Sequence, residues 1–571
     1  MNLFIIDGIS PFFRGYDRNV INWSKAPFVH LEDGHGLNED RTEQIRRDFK
    51  TFCRKAAEAG YNAITLDDLA HLCVFDFYEP ELENKLREYR IFFDQLFEIA
   101  EKYHLVPYVT TDLLFYNEAI DQHIGSADED IRKFATEACR QLFADFPNVG
   151  GIIVRIGEAD GLDVEGDFHS RLVLKRPAQA RKMIEALIPV FEEFNKQLIF
   201  RTWSVGVGRV GDMIWNPETF DAVFQGLEND HFIISMKYGQ SDFFRYLPLS
   251  RLFFRGGHRK LVEFQARREY EGFGEYPSFI GWDYEKIRDQ LVGQNIAGIS
   301  VWCQTGGWSG FRRLTYLDDN AVWNEINTFV TVRLFRDKTQ TTDQVIQEYY
   351  RLHYPDPHWR PLQELLKLSD EVIKELLYTE DFATRNIYFR RLRVPPLVNV
   401  YWRHIVANHF MRKFMRCYVS NGWKTVEEGF RALEKIKRMK SLAEPLGLPV
   451  EDLQFQYDTF NLISTVREYY FLDFTDERVE RLQKMKEAYE DKYEEPRYAL
   501  MLDTSKLKVR RAHLHLMLRM MFRGEHGYRL FDRIVTLNML SILYPLLKRF
   551  SKKAVPEFAS ESAMGIDSIF K

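Results

Sequence analysis

A chain of 571 residues is too long for one compact domain, and two or three are expected. A formal net charge of -6 leaves no basic excess to neutralise phosphates, which excludes a general nucleic-acid binder. No run of about 18 apolar residues is present to span a membrane, and the five scattered cysteines lack the CxxC spacing of a zinc site or the even number of a disulfide framework.

The N-terminal MNLFIIDGIS has no basic region ahead of its short apolar run, so it does not read as a signal peptide, and the expected location is cytoplasmic. Its apolar run is the first of a series: LFIID (3–7), AITL (63–66), VPYVTT (106–111), GIIVRIG (151–157), LIFRTW (198–203), HFIIS (231–235), LVEF (261–264) and GISVW (298–302). Helical periodicity fills most of the intervals. In RTEQIRRDFKTFCRKAAEAG, Ile45, Phe49, Phe52 and Ala56 recur at steps of three and four, and Gly60 stands where a C-cap belongs. DEDIRKFATEACRQLF and RPAQARKMIEALIPVFEEF repeat the pattern, whereas the interval after the sixth run reads as loop. Strands alternating with helices predict a parallel sheet, and eight such units predict an α/β fold, a (β/α)8 TIM barrel over residues 1–315.

From residue 316 the strand rhythm stops. DQVIQEYYRLHY, WRPLQELLKLSDEVIKELL, TVEEGFRALEKIKRM and ERVERLQKMKEAYEDKY are amphipathic helices, which predicts an all-α C-terminal domain over 316–571 that packs on the barrel and offers a candidate homodimer surface. The basic stretch KVRRAHLHLMLRMMFR reads as a solvated helix face rather than a site for an acidic partner.

In such barrels the chemistry sits at the C-terminal ends of the strands. Here those ends carry Asp67 and Asp68, Thr110 to Asp112, Arg155 and Glu158, Arg201 and Trp203, Lys237 and Asp242, Glu269 a little past the seventh run, then Trp302 and Gln304. Polar strand ends can simply meet solvent. Carboxylates, cations and aromatic rings converging on one rim are also what glycoside hydrolysis needs: one carboxylic acid to protonate the leaving oxygen, another to activate water or attack the anomeric carbon. Nearby cations keep a base ionised and bind an anionic sugar.

GIIVRIGEADG, LIFRTW, IISMKYGQSDF and EFQARREYEG, in this order, resemble the barrel of the glycoside hydrolase family 67 α-glucuronidases, inverting enzymes that remove a uronic acid from oligosaccharides. FFRGYDRNVINW, with Arg14, and AGYNAITLDDLAH, with Asp68, are similar to the family's first two strand-end segments, and TGGWSG, with Trp308, to a turn after its last strand. The resemblance implies Glu158 as general acid and Asp242 with Glu269 as the pair that serves the general base. It implies Arg201 as the grip on the uronate carboxylate and Lys237 as a sugar contact; Arg155 stands where the family has a lysine. Blander roles are open for each: a helix-start glutamate for Glu158, a local pair with Lys237 for Asp242, a solvated residue for Glu269. Glu263 takes the place of Glu269 if the seventh strand is shifted. Asp68, Trp203, Trp302 and Trp308 complete the expected sugar-binding rim.

Departures from the family are plain. A β-domain normally precedes its barrel, and ADGLDVEGDFHSRLVLKRP, after Glu158, carries additional acids. The expected partner is an oligosaccharide that bears a uronic acid, with the remaining glycan open. A barrel glycosidase of another specificity, such as a retaining hexosaminidase-like enzyme, and a non-catalytic carbohydrate-binding or scaffold protein are the alternatives. No cofactor is expected. GVGRVG (206–211) fits GxGxxG, but Trp215, Asn216 and Pro217 intervene before any helix, so it reads as a rim loop. His123, His169 and His258 lack metal-ligand spacing.

Overall fold

The computed structural model describes residues 1–16, 26–156 except 35 and 126, 166–203 except 171 and 172, 209–304 except 273, 315–389, 392–393, 396, 415–494 except 474, and 516 and 522–523. Eight parallel strands close into a barrel: β1 (Leu3–Asp7), β2 (Ala63–Asp67), β3 (Val106–Asp112), β4 (Gly151–Arg155), β5 (Gln197–Arg201), β6 (Phe232–Lys237), β7 (Lys260–Gln265) and β8 (Ile296–Trp302). The ring closes where β8 pairs with β1, Gly298 beside Leu3. The fold is thus a TIM barrel followed by a helical region, as the strand rhythm predicts.

Side-chain alternation explains the layering. Along each strand successive residues face opposite sides. Phe4, Ile6, Ile64, Leu66, Val109, Val154, Leu198, Phe200, Ile234 and Val262 face outward and join the large core beneath the helices. The other parity faces the barrel axis, where Ile5, Ala63, Tyr108, Ile153, Ile199, Ile233, Leu261 and Ala297, one from every strand, form a separate apolar cluster. Two residues further along, the inward set turns polar: Asp7, Thr65, Thr110, Arg155, Arg201, Ser235 and Glu263. Another step brings Asp67, Asp112, Lys237 and Gln265, all still buried. The barrel is therefore oily at its floor and ionic at its mouth.

Helices cover the outside. The first, α1 (Glu39–Ala59), starts at Asn38, whose side chain accepts from the Arg41 N–H at 2.9 Å, and stops at Gly60 with φ 116°. It is followed by α2 (Pro80–Lys102), α3 (Asp128–Asp145), α4 (Pro177–Glu193), α5 (Pro217–Phe224) and α6 (Gly281–Gln290). Between β6 and β7 the chain forms only a short 3-10 turn, Arg251–Phe254, among the described elements. The next helix, α7 (Val322–Arg336), packs against β8, α1 and α6, which is the position of the ring's last helix. Elements that complete the barrel thus extend past residue 315, because the loop after β8 is long and its helix comes late.

Beyond α7 come α8 (Thr342–His353), α9 (Arg360–Leu376), α10 (Gly422–Ala443), α11 (Val450–Phe471) and α12 (Asp476–Lys492). The pairs α9–α10, α10–α11 and α11–α12 pack together. This helical part leans on the loops after β6 and β7. Tyr276 packs against Phe455 and Phe460, and the Phe279 N–H donates to Ser369 Oγ at 3.2 Å. No helix among the described residues is long and apolar enough to cross a membrane.

The seam between β8 and β1 tolerates no side chain at Gly298, since a Cβ there would overlap the Leu3 carbonyl. Gly298→Ala is expected to destabilise the protein by about 1–3 kcal/mol through overpacking at the closure, measurable as a lower urea midpoint with an unchanged slope.

Candidate active site

Taking ions out of water is costly unless each finds a counter-charge, and the mouth of the barrel is organised by that requirement. Arg201, at the end of β5, meets Glu263 of β7 with both edges of its fork: Nε donates to Oε1 at 3.0 Å and Nη2 to Oε2 at 2.9 Å. Ser235 of β6 donates to the same Oε1 at 2.7 Å. Burial would raise the Glu263 carboxyl, but Arg201, Lys237 and Ser235 outweigh it and hold it below the usual carboxylate range. The Arg201 guanidinium also lies 4.7 Å from the centre of the Trp302 ring.

Arg155, at the end of β4, faces Asp112 at 3.3 Å and Asp67 at 3.9 Å. Asp67 also accepts from the Ala26 N–H at 3.1 Å, and Asp112 from Ser170. Asp7 is bound differently: its carboxyl accepts from the backbone N–H groups of Cys303 at 2.6 Å and Gln304 at 2.9 Å. Burial pushes it up to about 6 against those hydrogen bonds.

The third group has a different character. Lys237 ends β6 and forms an ion pair with Asp242, five residues on. Its Nζ sits 3.6 Å from the centre of the half-buried Trp203 ring and 5.1 Å from that of Phe243. The Tyr270 hydroxyl donates to the other Asp242 oxygen at 3.2 Å. Glu269 stands nearby in the turn after β7 and is held from both ends by Gln265: its N–H donates to Gln265 Oε1 at 2.7 Å, and its Oε2 accepts from Gln265 Nε2 at 3.1 Å. Glu269 Oε1 is buried with no hydrogen-bond partner among the described residues. Burial and the Asp242 charge push Glu269 up to about 8, against Gln265, Lys237 and Arg267. The site thus sets Asp242, paired with a cation, beside a carboxyl that holds its proton well above the usual carboxylate range.

The strand order places β2, β3 and β4 across the mouth from β6 and β7. There a small open cleft is lined by Tyr16, Phe28, His30, Asp68, His71 and Asp112, among others. Asp68 meets His71 Nδ1 at 2.7 Å, and the His71 ring stacks on Phe28 with centroids 3.5 Å apart. Stacked rings beside carboxylates and hydroxyls give a cleft with both an apolar face and polar edges.

The structure thus brings Arg155, Arg201, Lys237, Asp242, Glu269, Trp203 and Trp302 to one mouth, with Asp68 at the cleft. Two expectations change in form. Strand seven is not shifted, and Glu263 lies inside the barrel as the partner of Arg201, while Glu269 occupies the turn beyond. The Arg201 fork, expected to grip a uronate, faces Glu263. Arg14 meets Asp48 of α1 at 2.7 Å and Asp318 at 3.8 Å, so it bridges the first rim turn to its neighbours. Glu158 and Trp308 lie outside the described residues. Among the described residues no group of three or more His, Cys, Asp or Glu is placed to hold a metal ion.

Gln265 and Asp7 were not singled out from the sequence. The signal for both was parity: each follows an inward apolar residue by an even number of positions, Leu261 to Gln265 and Ile5 to Asp7.

No family model and no curated protein matches this chain. Solved structures with related shape include a GH138 enzyme targeting pectin rhamnogalacturonan II, at TM-score 0.49 and 11% identity, covering 85% of this chain and 61% of that one. A mutant of the Thermobaculum terrenum O-GlcNAc hydrolase matches at TM-score 0.39 and 10% identity, covering 83% of this chain and 91% of that one. The protein CpGH84B matches at TM-score 0.39 and 10% identity, covering 85% and 72%. The chain therefore spans less than two thirds of the length of the first of these. None of the three is described as an α-glucuronidase, and likeness at this level leaves the chemistry to be read from the chain's own residues.

Removing Arg201 would leave Glu263 charged and buried without its partner. Arg201→Met is expected to cost about 3–5 kcal/mol, and Arg201→Met with Glu263→Leu to recover a large part of that, as measured by denaturant unfolding of the full cycle. Glu269 gives a pH test. Its folded-state value of about 8 exceeds the usual 4.5, so the folded protein keeps a proton that the unfolded chain releases between those values. The associated stability is complete below about pH 4.5 and is lost as the pH rises through 8. Glu269→Gln should accordingly raise Tm over the parent at pH 8 and give no gain at pH 4.5.

Proposed function

We propose that this protein is a glycoside hydrolase that removes a uronic acid from an oligosaccharide at the mouth of its barrel, with inversion at the anomeric carbon. The observation that carries this reading is the pairing of Asp242, beside Lys237, with Glu269, whose carboxyl is pushed up to about 8 by burial and the Asp242 charge. Such a pair supplies the water-activating half of acid–base chemistry at a glycosidic bond, the proton-donating half falling to Glu158.

In this mechanism Asp242 takes a proton from water as the water oxygen attacks the anomeric carbon. Glu269, by keeping its proton, can donate a hydrogen bond toward the attacking oxygen. Glu158, three residues past the end of β4, gives its proton to the leaving oxygen as the carbon–oxygen bond breaks. The sugar ring lies against the rings of Trp203 and Trp302, and aromatic faces suit pyranose rings. The uronate carboxylate is drawn to the cationic side of the mouth, where Lys237 stands over Trp203 and Arg201 is anchored by Glu263. The cleft lined by Phe28, Asp68 and His71, across the mouth, receives the remaining glycan.

Incubation with a panel of uronic-acid-capped and neutral oligosaccharides, with released sugar followed by proton NMR, tests each part. Free uronate of inverted configuration should form, and Asp242→Asn and Glu158→Gln should each lower kcat by roughly 10²–10⁴-fold. Equal turnover of neutral glycans would remove the uronate specificity, and a first-formed product of retained configuration would remove the water-activating role of Asp242. Glycan binding without release of sugar would make the protein a binding module.

A further inference from the structure

The two carboxyl groups on the water-activating side come from separate loops: Asp242 from the connection between β6 and β7, Glu269 from the turn after β7. The backbone at Glu269 is strained. Arg268, just before it, has φ 56°, in the left-handed region that a side-chain-bearing residue enters at a cost, and Gly272 closes the turn at φ 91°.

A cluster of charges under this turn, buried at its centre, offsets that strain. Glu271, with no exposed surface, accepts from Arg268 Nε at 3.0 Å, from Arg245 Nη2 at 3.1 Å, from the Ser278 hydroxyl, and from the Tyr378 hydroxyl at 3.0 Å. Arg268 Nη2 also donates at 2.7 Å to the carbonyl of Phe243, the residue after Asp242. One guanidinium therefore ties the backbone beside Asp242 to the turn that carries Glu269. The helical part of the chain completes the cluster. Tyr378 accepts from the Arg245 N–H at 3.1 Å as well as donating to Glu271, and Asp370 of α9 pairs with Arg245. Lys374 of α9 bridges Asp370 and Asp283, at 2.9 Å from each. Arg245, Arg268 and Lys374 thus face Glu271, Asp283 and Asp370, three cations to three carboxylates.

We propose that Glu271 and Arg268, closed off from the helical side by Tyr378 and Asp370, are positioning residues that fix Asp242 and Glu269 relative to each other; this rests on the reading of that pair as the water-activating side. The helical domain then acts in the reaction without touching the substrate. It holds the geometry on which the protonation of Glu269 depends, among Asp242 and Lys237 from β6 and its loop and Gln265 and Arg267 from β7 and its turn.

Tyr378→Phe and Asp370→Asn test this at sites remote from the sugar. Both variants should stay folded by near-ultraviolet circular dichroism. Each should lower kcat about tenfold with KM within about twofold, a smaller loss than the roughly hundredfold that a 1 Å misplacement can cause. The basic limb of the pH–rate profile should move down by about one pH unit or more. A second measurement does not depend on activity. The Glu269 carboxyl resonance, identified in protein labelled with carbon-13 at glutamate Cδ by its loss in Glu269→Gln, should titrate near pH 8 in the parent and lower in both variants. An unmoved titration in both would overturn the positioning role, whether or not hydrolysis is seen. If the resonance moves but no glycoside is cleaved, the positioning role stands and the hydrolase reading falls. Glu271→Gln leaves two buried arginines short of a counter-charge, so loss of its fold is an expected result that supports the cluster's role in holding the turn.

Discussion

The upper half of this barrel is governed by the cost of burying charge. Seven of the eight strands send a polar residue inward at the level above the apolar floor, where Asp7 is held by backbone N–H groups and the other charges of the mouth by counter-charges. Arg201 has Glu263, Arg155 has Asp112 and Asp67, and Lys237 has Asp242. Glu269 breaks the pattern: it lies beside another carboxylate, and keeping a proton is its alternative to a counter-ion. Pairing fixes the ring, and the exception is where the chemistry is read.

This division separates two kinds of buried charge. The Arg201–Glu263 pair satisfies both members with well-formed hydrogen bonds, so it sets the shape and field of the mouth without titrating near neutrality. Lys237 and Asp242 are less enclosed: Asp242 lies partly open, and Lys237 rests on aromatic rings that a sugar could share. A substrate carboxylate or a water molecule can compete for partners in the second group far more easily than in the first.

The barrel was legible in the sequence because its signal is local. Each strand is a short β-branched run, and helical periods fill the gaps, so the strand positions are recovered to within a few residues. The floor and the ionic layer were also present in the sequence, as alternation within runs: Ile233, Ser235 and Lys237, or Leu261, Glu263 and Gln265. What could not be read was which charge meets which. Arg201 and Glu263 are 62 positions apart, and nothing in either segment says that β7 supplies the partner of β5. The same holds for Arg245, Glu271 and Tyr378, whose meeting depends on how α9 leans against the β6 and β7 loops. The late arrival of α7, after a long loop, is why the barrel's own elements extend beyond residue 315.

Where other sectors of the ring carry a helix, the interval between β6 and β7 carries loop, and the C-terminal part fills in against it through Tyr378 and Asp370, both on Arg245, while Tyr276 and Phe279 of the loop after β7 pack on the same helices. A barrel excised at its last strand would expose that apolar flank and leave Arg245 without Asp370. The two parts therefore cannot be traded as independent modules. Recombination among related chains would have to inherit the C-terminal helices together with the sixth and seventh rim loops, and drift in either would constrain the other.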